Sequence, residues 1–200
     1  MTDLAFTPAA KLARLIARRA LSPVELVDMV LARLERVQPA LNAFITVTAE
    51  GARAAARAAE AAVMRGEVRE PLFGVPFSVK DLVNTQGVRT TFGSVALADN
   101  VPSADSVAVA RLKRAGAILI GKTTTPEFGH KPFTDAPLFG RTASAWDRSR
   151  TSGGSSGGAA VAVAVGLGPL AIDTDGGGSG AGSATNPISC RSLARSWTAP

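Results

Sequence analysis

Cysteine, aromatic residues and long apolar runs are scarce in this 200-residue sequence. Cys190 is the only cysteine, which excludes an intramolecular disulfide and fits a reducing compartment. Aromatic residues make up 5% of the chain, whereas nucleic-acid-binding surfaces usually interleave them with a basic stripe. No apolar run reaches the length of about 18 residues that a membrane span needs. We therefore expect neither a nucleic-acid partner nor a membrane partner.

Charge is unbalanced but not clustered. Lys and Arg exceed Asp and Glu by 22 − 16 = 6, and the basic residues are scattered through helical segments. Near the amino end, Asp3 and the arginines Arg14, Arg18 and Arg19 interrupt any apolar core, which argues against a signal peptide. An arginine-rich amphipathic segment at the amino end can also resemble an organellar targeting sequence. A first helix of the domain is the simpler interpretation, and we expect a cytoplasmic location.

Helices dominate the first seventy residues. The stretch "LSPVELVDMVLARLERV" opens with a capping box, in which Ser22 is the N-cap, Pro23 the first helical residue and Glu25 the residue three after the cap. Apolar residues then follow at helical spacing. A second, alanine-rich helix is predicted from Glu50 to Arg65.

From Leu72 to Asp173 the sequence alternates between strand-like and helix-like segments, which predicts an α/β sheet with helices on its faces. A strand ends near Lys80, and a helix capped by Ser103 or Asp105 follows. The next segments are the strand "AILIG", a small-residue helix "GGAAVAVAVGLG" and the strand "PLAID". With 46% hydrophobic residues, the chain can bury the core of one domain.

One segment matches the pattern of a phosphate-binding P-loop. "GAILIGKT", Gly116 to Thr123, has the required glycines, lysine and threonine. Its middle residues are themselves strand-like, however, and no clean helix start follows. We therefore expect Gly121 and Lys122 to end a buried strand rather than to bind a nucleotide.

Two glycine–serine clusters lie at the ends of the stretch from Thr151 to Ser179. They enclose the apolar segment "AAVAVAVGLGPLAID", which a flexible linker has no reason to contain. Two ordered turns around a packed helix and strand explain the pattern better. Serine in such a turn can act as a nucleophile, and the neighbouring N–H groups can stabilise an oxyanion.

A serine nucleophile needs a base, and His130 is the only histidine of the chain. Lysine replaces histidine in some enzymes, provided that burial or nearby positive charge keeps it neutral. Lys80 is the best candidate because it ends an apolar strand. Composition alone favours a simpler interpretation, in which Lys80 pairs with the carboxylate of Asp81.

Three motifs resemble those of the amidase signature family, whose members hydrolyse carboxamides with a Ser–Ser–Lys triad. They are "GVPFSVKDLVNTQGVRTTFGS", "GKTTTPEFGHKPFTDAPLFGRTASAWD" and "TSGGSSGGAAVAVAVGLGPLAIDTDGGGS". The amino-terminal helices also look like the start of that family. The resemblance implies an α/β fold with a mixed sheet flanked by helices, a small-molecule amide substrate, and no metal or organic cofactor.

Carried over motif by motif, the resemblance makes Lys80 the base, Ser155 the proton relay and Ser179 the nucleophile. The separations 155 − 80 = 75 and 179 − 155 = 24 agree with the family pattern. The family also holds the bond between Gly154 and Ser155 in the cis form. The oxyanion hole would be formed by the N–H groups of Gly176, Gly177, Gly178 and Ser179.

Other polar residues of these motifs are expected to support the site or to form the turns around it. Asp175 would brace the oxyanion turn or simply form the turn. Thr151 and Ser156 would either bond within the glycine turn or contact Lys80. His130 is expected to be structural.

The resemblance ends after Ser179. Residues 180–200 contain no acidic residue and no helical or strand periodicity, which is typical of an out-of-frame or truncated end. We expect an amino-terminal helical segment (1–70), a partial amidase signature core (71–179) and a divergent tail (180–200). Because family members are considerably longer, the fold would be incomplete and this chain would have little activity alone.

Several functions remain open at this point. A free-standing amidohydrolase is preferred to the glutaminase (A-type) subunit of a transfer-RNA-dependent amidotransferase. Outside the family, the chain could be a non-catalytic anion- or nucleotide-binding module, or a flexible interaction protein rich in Gly and Ser. A homodimer is also left open.

Overall fold

Residues 4–68 and 70–179 are described by a computed structural model. Within them lie five α-helices: α1 (Ala9–Ala17), α2 (Pro23–Leu41), α3 (Ala49–Arg65), α4 (Val107–Arg114) and α5 (Gly157–Ala164). None of the helices in this part of the chain is long and apolar enough to cross a membrane.

A four-stranded mixed sheet forms the centre of the fold. The strands of the described residues are β1 (Phe44–Val47), β2 (Pro76–Lys80), β3 (Ile118–Thr123), β4 (Asp135–Ala136), β5 (Gly140–Arg141) and β6 (Leu170–Ile172). The sheet has the order β1-β3-β2-β6, and β4 and β5 form a separate hairpin. Strand β2 runs parallel to β3 and β6, whereas β1 runs antiparallel to β3. The predicted α/β fold is confirmed.

Helix α2 begins at the predicted cap. The Ser22 hydroxyl accepts hydrogen bonds from the N–H groups of Val24 (3.0 Å) and Glu25 (3.2 Å), and Pro23 opens the helix. The helix ends at Asn42, which has the left-handed conformation (φ 52°) that commonly terminates helices.

Helix α4 begins after both of the N-cap positions that the sequence analysis considered. Its N-cap is Ser106, rather than Ser103 or Asp105. The Asp105 carboxylate accepts instead from the Gln86 N–H (2.7 Å) and pairs with the Lys113 ammonium (2.9 Å). The prediction was wrong because these contacts engage Asp105, leaving the adjacent serine to cap the helix.

Strand β1 was not singled out in the sequence, because only four residues of strand separate two helices. It joins the amino-terminal helices to the sheet by pairing with β3. Helices α2 and α3 pack against the sheet where β3 lies. Their contact with it is apolar and fully buried, formed by Leu31, Leu34, Ala52, Ala56, Ile118 and Ile120. Each buried Leu or Ile contributes about 1.5–3 kcal/mol by leaving water.

Helix α5 and strand β6 occupy the segment between the two glycine–serine clusters. Strand β6 runs beside β2, so the residues after β6 reach the edge at which β2 ends with Lys80. Gly158 allows α5 to approach β3 closely, because a Cβ there would lie 2.5 Å from the Thr124 nitrogen and 2.7 Å from the Ala43 oxygen. The segment is ordered structure, as predicted, and not a linker.

Replacing Gly158 by alanine tests this close approach. The added methyl group would collide with backbone atoms, so we expect Gly158→Ala to lower the free energy of unfolding by about 1–3 kcal/mol. Gly51→Ala is the matched control, because nothing lies within 4 Å of a Cβ there. Urea denaturation measures both variants, and an unchanged midpoint for Gly158→Ala would contradict the packing.

Candidate active site

Lys80 and the first glycine–serine cluster meet at the end of β2. The Lys80 side chain is fully buried, and its Nζ lies 2.8 Å from Ser155 Oγ and 2.8 Å from Ser156 Oγ. The carbonyl oxygen of Thr174, two residues after β6, is the third partner at 3.2 Å. Three elements distant in sequence thus place their polar groups around one amine.

The proton positions follow from what each partner can do. The Thr174 carbonyl can only accept, and Ser156 Oγ already donates its proton to that carbonyl (3.1 Å). Ser156 must therefore accept from Lys80. A neutral amine has two N–H donors and one lone pair. When Lys80 is neutral, its donors go to Ser156 and Thr174, and its lone pair faces the hydroxyl of Ser155.

Burial favours the neutral form of Lys80. Loss of water around the amine lowers the pKa of Lys80 from 10.5 to about 8, although the negative charges of Asp173 and Asp175 partly oppose this. Burial also raises the pKa of Asp173, and the charge of Lys80 opposes that shift. At pH 7 about a tenth of Lys80 is then neutral, against less than about a thousandth for an ordinary lysine.

Asp81 does not pair with Lys80, contrary to the interpretation that composition favoured. Its Oδ2 accepts from the N–H of Thr91 (2.9 Å) and from its hydroxyl (2.5 Å). Consecutive residues at the end of a strand point to opposite faces of the sheet. Lys80 therefore points away from Asp81 and contacts Ser155 and Ser156.

The turn that carries Ser155 is tightly packed. The bond between Gly154 and Ser155 is cis, as the resemblance implied. A Cβ on Gly154 would lie 2.7–2.8 Å from the backbone of Phe133, so only glycine fits there without movement. Ser155 is 8% exposed and Ser156 1%, so Ser155 is the serine of the pair that borders open space.

Ser179 lies in the same region, but its hydrogen bond differs from the predicted relay. Its hydroxyl donates to the carbonyl oxygen of Thr174 (2.7 Å), which also accepts from Lys80 and Ser156. Among the hydrogen bonds of the described residues, none joins Ser155 directly to Ser179. The three predicted triad residues therefore converge on one carbonyl, and the role of each stays a prediction.

Asp175 braces the triple-glycine turn. Its Oδ1 accepts from the N–H groups of Gly177 (3.2 Å), Gly178 (2.5 Å) and Ser179 (2.9 Å). Three of the four N–H groups predicted to form an oxyanion hole are thus held by a carboxylate oxygen. The N–H groups of the turn can therefore bind a negatively charged oxygen, and in this structure they bind Oδ1 of Asp175.

Thr151 lies outside this group of residues. It is exposed and forms a bridge with Ala143, rather than a contact with Lys80. Cys190 and the whole 180–200 segment lie outside the described residues. Within the described ranges, no group of three or more His, Cys, Asp or Glu side chains is placed to hold a metal ion.

A cavity of about 260 Å³ is lined by Ser155 and Ser179. Its other walls are the triple-glycine turn and a segment that the sequence analysis did not assign to the site: Gly129, His130, Lys131 and Pro132. A larger cavity of about 680 Å³ lies beside β1, α3 and α4, and borders none of the predicted site residues. This wall lies within the second of the three family motifs and Thr174 within the third, but the sequence analysis gave neither a role in the site. Thr174 contributes a backbone atom, which the residue type does not reveal.

The P-loop-like segment is a buried strand, as predicted. Lys122 lies within β3, fully buried, and donates to the Val83 carbonyl (2.5 Å) and to the hydroxyls of Thr85 (3.0 Å) and Thr90 (2.8 Å). Burial lowers the pKa of Lys122 to about 8, and Asp81 opposes the shift. Its three donors are used within the protein, which argues against phosphate binding.

The fold and the site together define an α/β protein with a buried lysine bonded to a serine beside a glycine turn. The amidase family model matches residues 25–181, and the chain belongs to the amidase signature family. The A-type subunit of the glutamyl-tRNA(Gln) amidotransferase of Roseiflexus sp. (strain RS-1) is 48% identical over 146 residues, which cover 73% of this chain and 30% of that protein.

Solved structures give the same family. A bacterial aryl acylamidase superposes with a TM-score of 0.85 at 33% identity, covering 90% of this chain and 37% of that one. The peptide amidase of Stenotrophomonas maltophilia has a TM-score of 0.84 at 30% identity, covering 89% of this chain and 38% of that one. This chain therefore spans about a third of the length of the curated relatives that it matches.

Replacing Lys122 by methionine tests its burial. The folded-state pKa of about 8 lies below the ordinary 10.5, so between these values only the unfolded chain binds the proton. The free energy of unfolding of the wild type, minus that of Lys122→Met, should therefore increase with pH across this window. The expected increase is up to about 3 kcal/mol. Lys11→Met, at an exposed position, provides the control variant. A flat difference for Lys122→Met, measured by urea denaturation from pH 7 to 10.5, would contradict the assignment.

Proposed function

We propose that this protein hydrolyses the C–N bond of a small carboxamide through an acyl-enzyme on Ser179. One observation carries the proposal: a fully buried lysine with a pKa of about 8 lies 2.8 Å from the hydroxyl of Ser155, beside the cavity that also borders Ser179. Family membership adds support, because the aryl acylamidase and the peptide amidase are amide-cleaving relatives by name.

The chemistry starts with neutral Lys80, whose lone pair faces the Ser155 hydroxyl. Lys80 takes the proton of Ser155 as Ser155 takes that of Ser179, and Ser179 Oγ bonds to the amide carbon. The carbonyl electrons move onto oxygen. Ser155 then donates its proton to the amide nitrogen as the C–N bond breaks, and proton transfer from Lys80 restores Ser155. Attack of water on the ester, with the same groups moving protons, releases the acid and restores Ser179.

Two changes in the turn are needed before this reaction. The Ser179 hydroxyl must rotate from the Thr174 carbonyl towards Ser155. The Asp175 carboxylate must also give up N–H groups of Gly177, Gly178 and Ser179, so that they can bind the substrate oxyanion. Each donor in such a hole typically contributes about 2.7–4 kcal/mol to transition-state stabilisation.

Labelling with a fluorophosphonate tests serine activation without requiring the right amide. Ser179→Ala should abolish labelling, and Lys80→Ala should slow it by about a hundredfold or more, because the general base is lost. The wild-type rate should increase with pH and level off above about 8, where Lys80 is neutral. Ser149→Ala, in an exposed loop, is the control. Unchanged labelling of the Lys80 variant would contradict the proposal.

A second candidate is the glutaminase subunit of a transfer-RNA-dependent amidotransferase. The observation that favours it is that curated relatives at 44–48% identity are named as the A-type subunit of glutamyl-tRNA(Gln) amidotransferase. Such a subunit would work with partner proteins, whereas a free-standing amidase could act alone or as a homodimer.

Purification separates these two candidates. A glutaminase subunit should co-purify with partner subunits and release ammonia from glutamine, but leave aryl amides intact. Hydrolysis of aryl amides by the chain alone would exclude the second candidate and support the first. It would also overturn the expectation that these 200 residues have little activity by themselves.

A further inference from the structure

His130 is part of the wall that faces the two serines. It follows a short 3-10 helix, Glu127–Gly129, its side chain is exposed, and the residue lines the 260 Å³ cavity. The preceding residue, Gly129, shows how close this wall lies to Ser155. A Cβ on Gly129 would lie 3.7 Å from Ser155 Oγ, so the chain passes beside the hydroxyl that would protonate the leaving nitrogen.

The tautomer of His130 follows from its hydrogen bond. Nδ1 lies 2.5 Å from the carbonyl oxygen of Glu127. A carbonyl oxygen can only accept, so Nδ1 carries the proton and the neutral ring leaves Nε2 as an acceptor. Among the described residues, none donates to Nε2.

The other polar side chain of this wall is already engaged. The Lys131 ammonium forms an ion pair with Asp135 and lies 4.8 Å from the centre of the Phe133 ring. The remaining walls are glycines, a proline and the two serines. Among the described residues that line this cavity, His130 is therefore the one, apart from the serines, whose side chain has a hydrogen-bond acceptor that is not engaged.

We infer that His130 Nε2 accepts a hydrogen bond from the N–H of the substrate amide and so selects its leaving group. The inference rests on the proposed function. The preferred substrates are then primary and secondary carboxamides, which have an N–H on the scissile nitrogen. Tertiary amides lack it and leave Nε2 without a partner in the complex. His130 is a specificity-determining residue and takes no proton from the substrate.

A single histidine makes the test direct, because the ¹⁵N spectrum of the imidazole contains one residue. The full chain is labelled with ¹⁵N-histidine and titrated with acetamide, N-methylacetamide and N,N-dimethylacetamide. The free protein should show the proton on Nδ1. Acetamide and N-methylacetamide should shift the Nε2 resonance towards the hydrogen-bonded position, and N,N-dimethylacetamide should not.

Two variants separate a hydrogen bond from a change in shape. Acetamide should protect Ser179 from the fluorophosphonate about three- to tenfold better than N,N-dimethylacetamide, the range for one hydrogen bond. His130→Leu should lose that preference, and His130→Gln, whose amide oxygen can accept, should retain it.

Different results overturn the inference and the proposed function. A proton on Nε2 in the free protein, or an Nε2 resonance that responds equally to all three amides or to none, overturns the inference about His130. Absence of fluorophosphonate labelling overturns the proposed function, and the ¹⁵N spectrum still reports on His130 in that case.

Discussion

The structure depends most on enclosing one amine that, among the described residues, has no carboxylate within ion-pair distance. Lys80 is fully buried, and its three contacts are two serine hydroxyls and the carbonyl of Thr174. Burying a charge without a paired opposite charge is costly, so the environment favours loss of the proton. A lysine in this setting becomes a base near neutral pH, which an exposed lysine cannot be.

The sheet topology makes this enclosure possible. Because β2 and β6 are parallel neighbours, Lys80 and Thr174 emerge at the same edge. Helix α5 starts directly after Ser155 and Ser156 and packs closely on β3 through Gly158. Moving any of these elements by an ångström would separate the amine from its partners, so the rigidity of the packed core has a direct chemical role.

The turn after β6 shows the site in a self-bonded arrangement. The Asp175 carboxylate occupies the N–H groups of the glycine turn, and Ser179 donates to Thr174. Both contacts satisfy polar groups of the turn within the protein itself. In the proposed mechanism, substrate binding exchanges these internal bonds for bonds to the reacting amide.

Periodicity predicted the elements with clear signals, such as the capped start of α2 and the buried strand around Ile120. It missed β1, because four residues are too few to show a pattern and no glycine or proline directly flanks them. It also could not choose among the several residues before α4 that can act as an N-cap. The pairing of Lys80 with Ser155 came from family resemblance, because local composition favoured Asp81 as the partner. The role of Thr174 could not be predicted, since a backbone carbonyl has no residue signature.

The protonation of Lys80 is the most direct test of this account. The sequence contains five lysines, so ¹³Cε-lysine labelling gives a simple spectrum, and Lys80→Met assigns the resonance. We expect a titration midpoint of about 8 for Lys80, because burial disfavours its charged form. A midpoint at the ordinary value of 10.5 would show a charged amine throughout the neutral range and would contradict its role as the base.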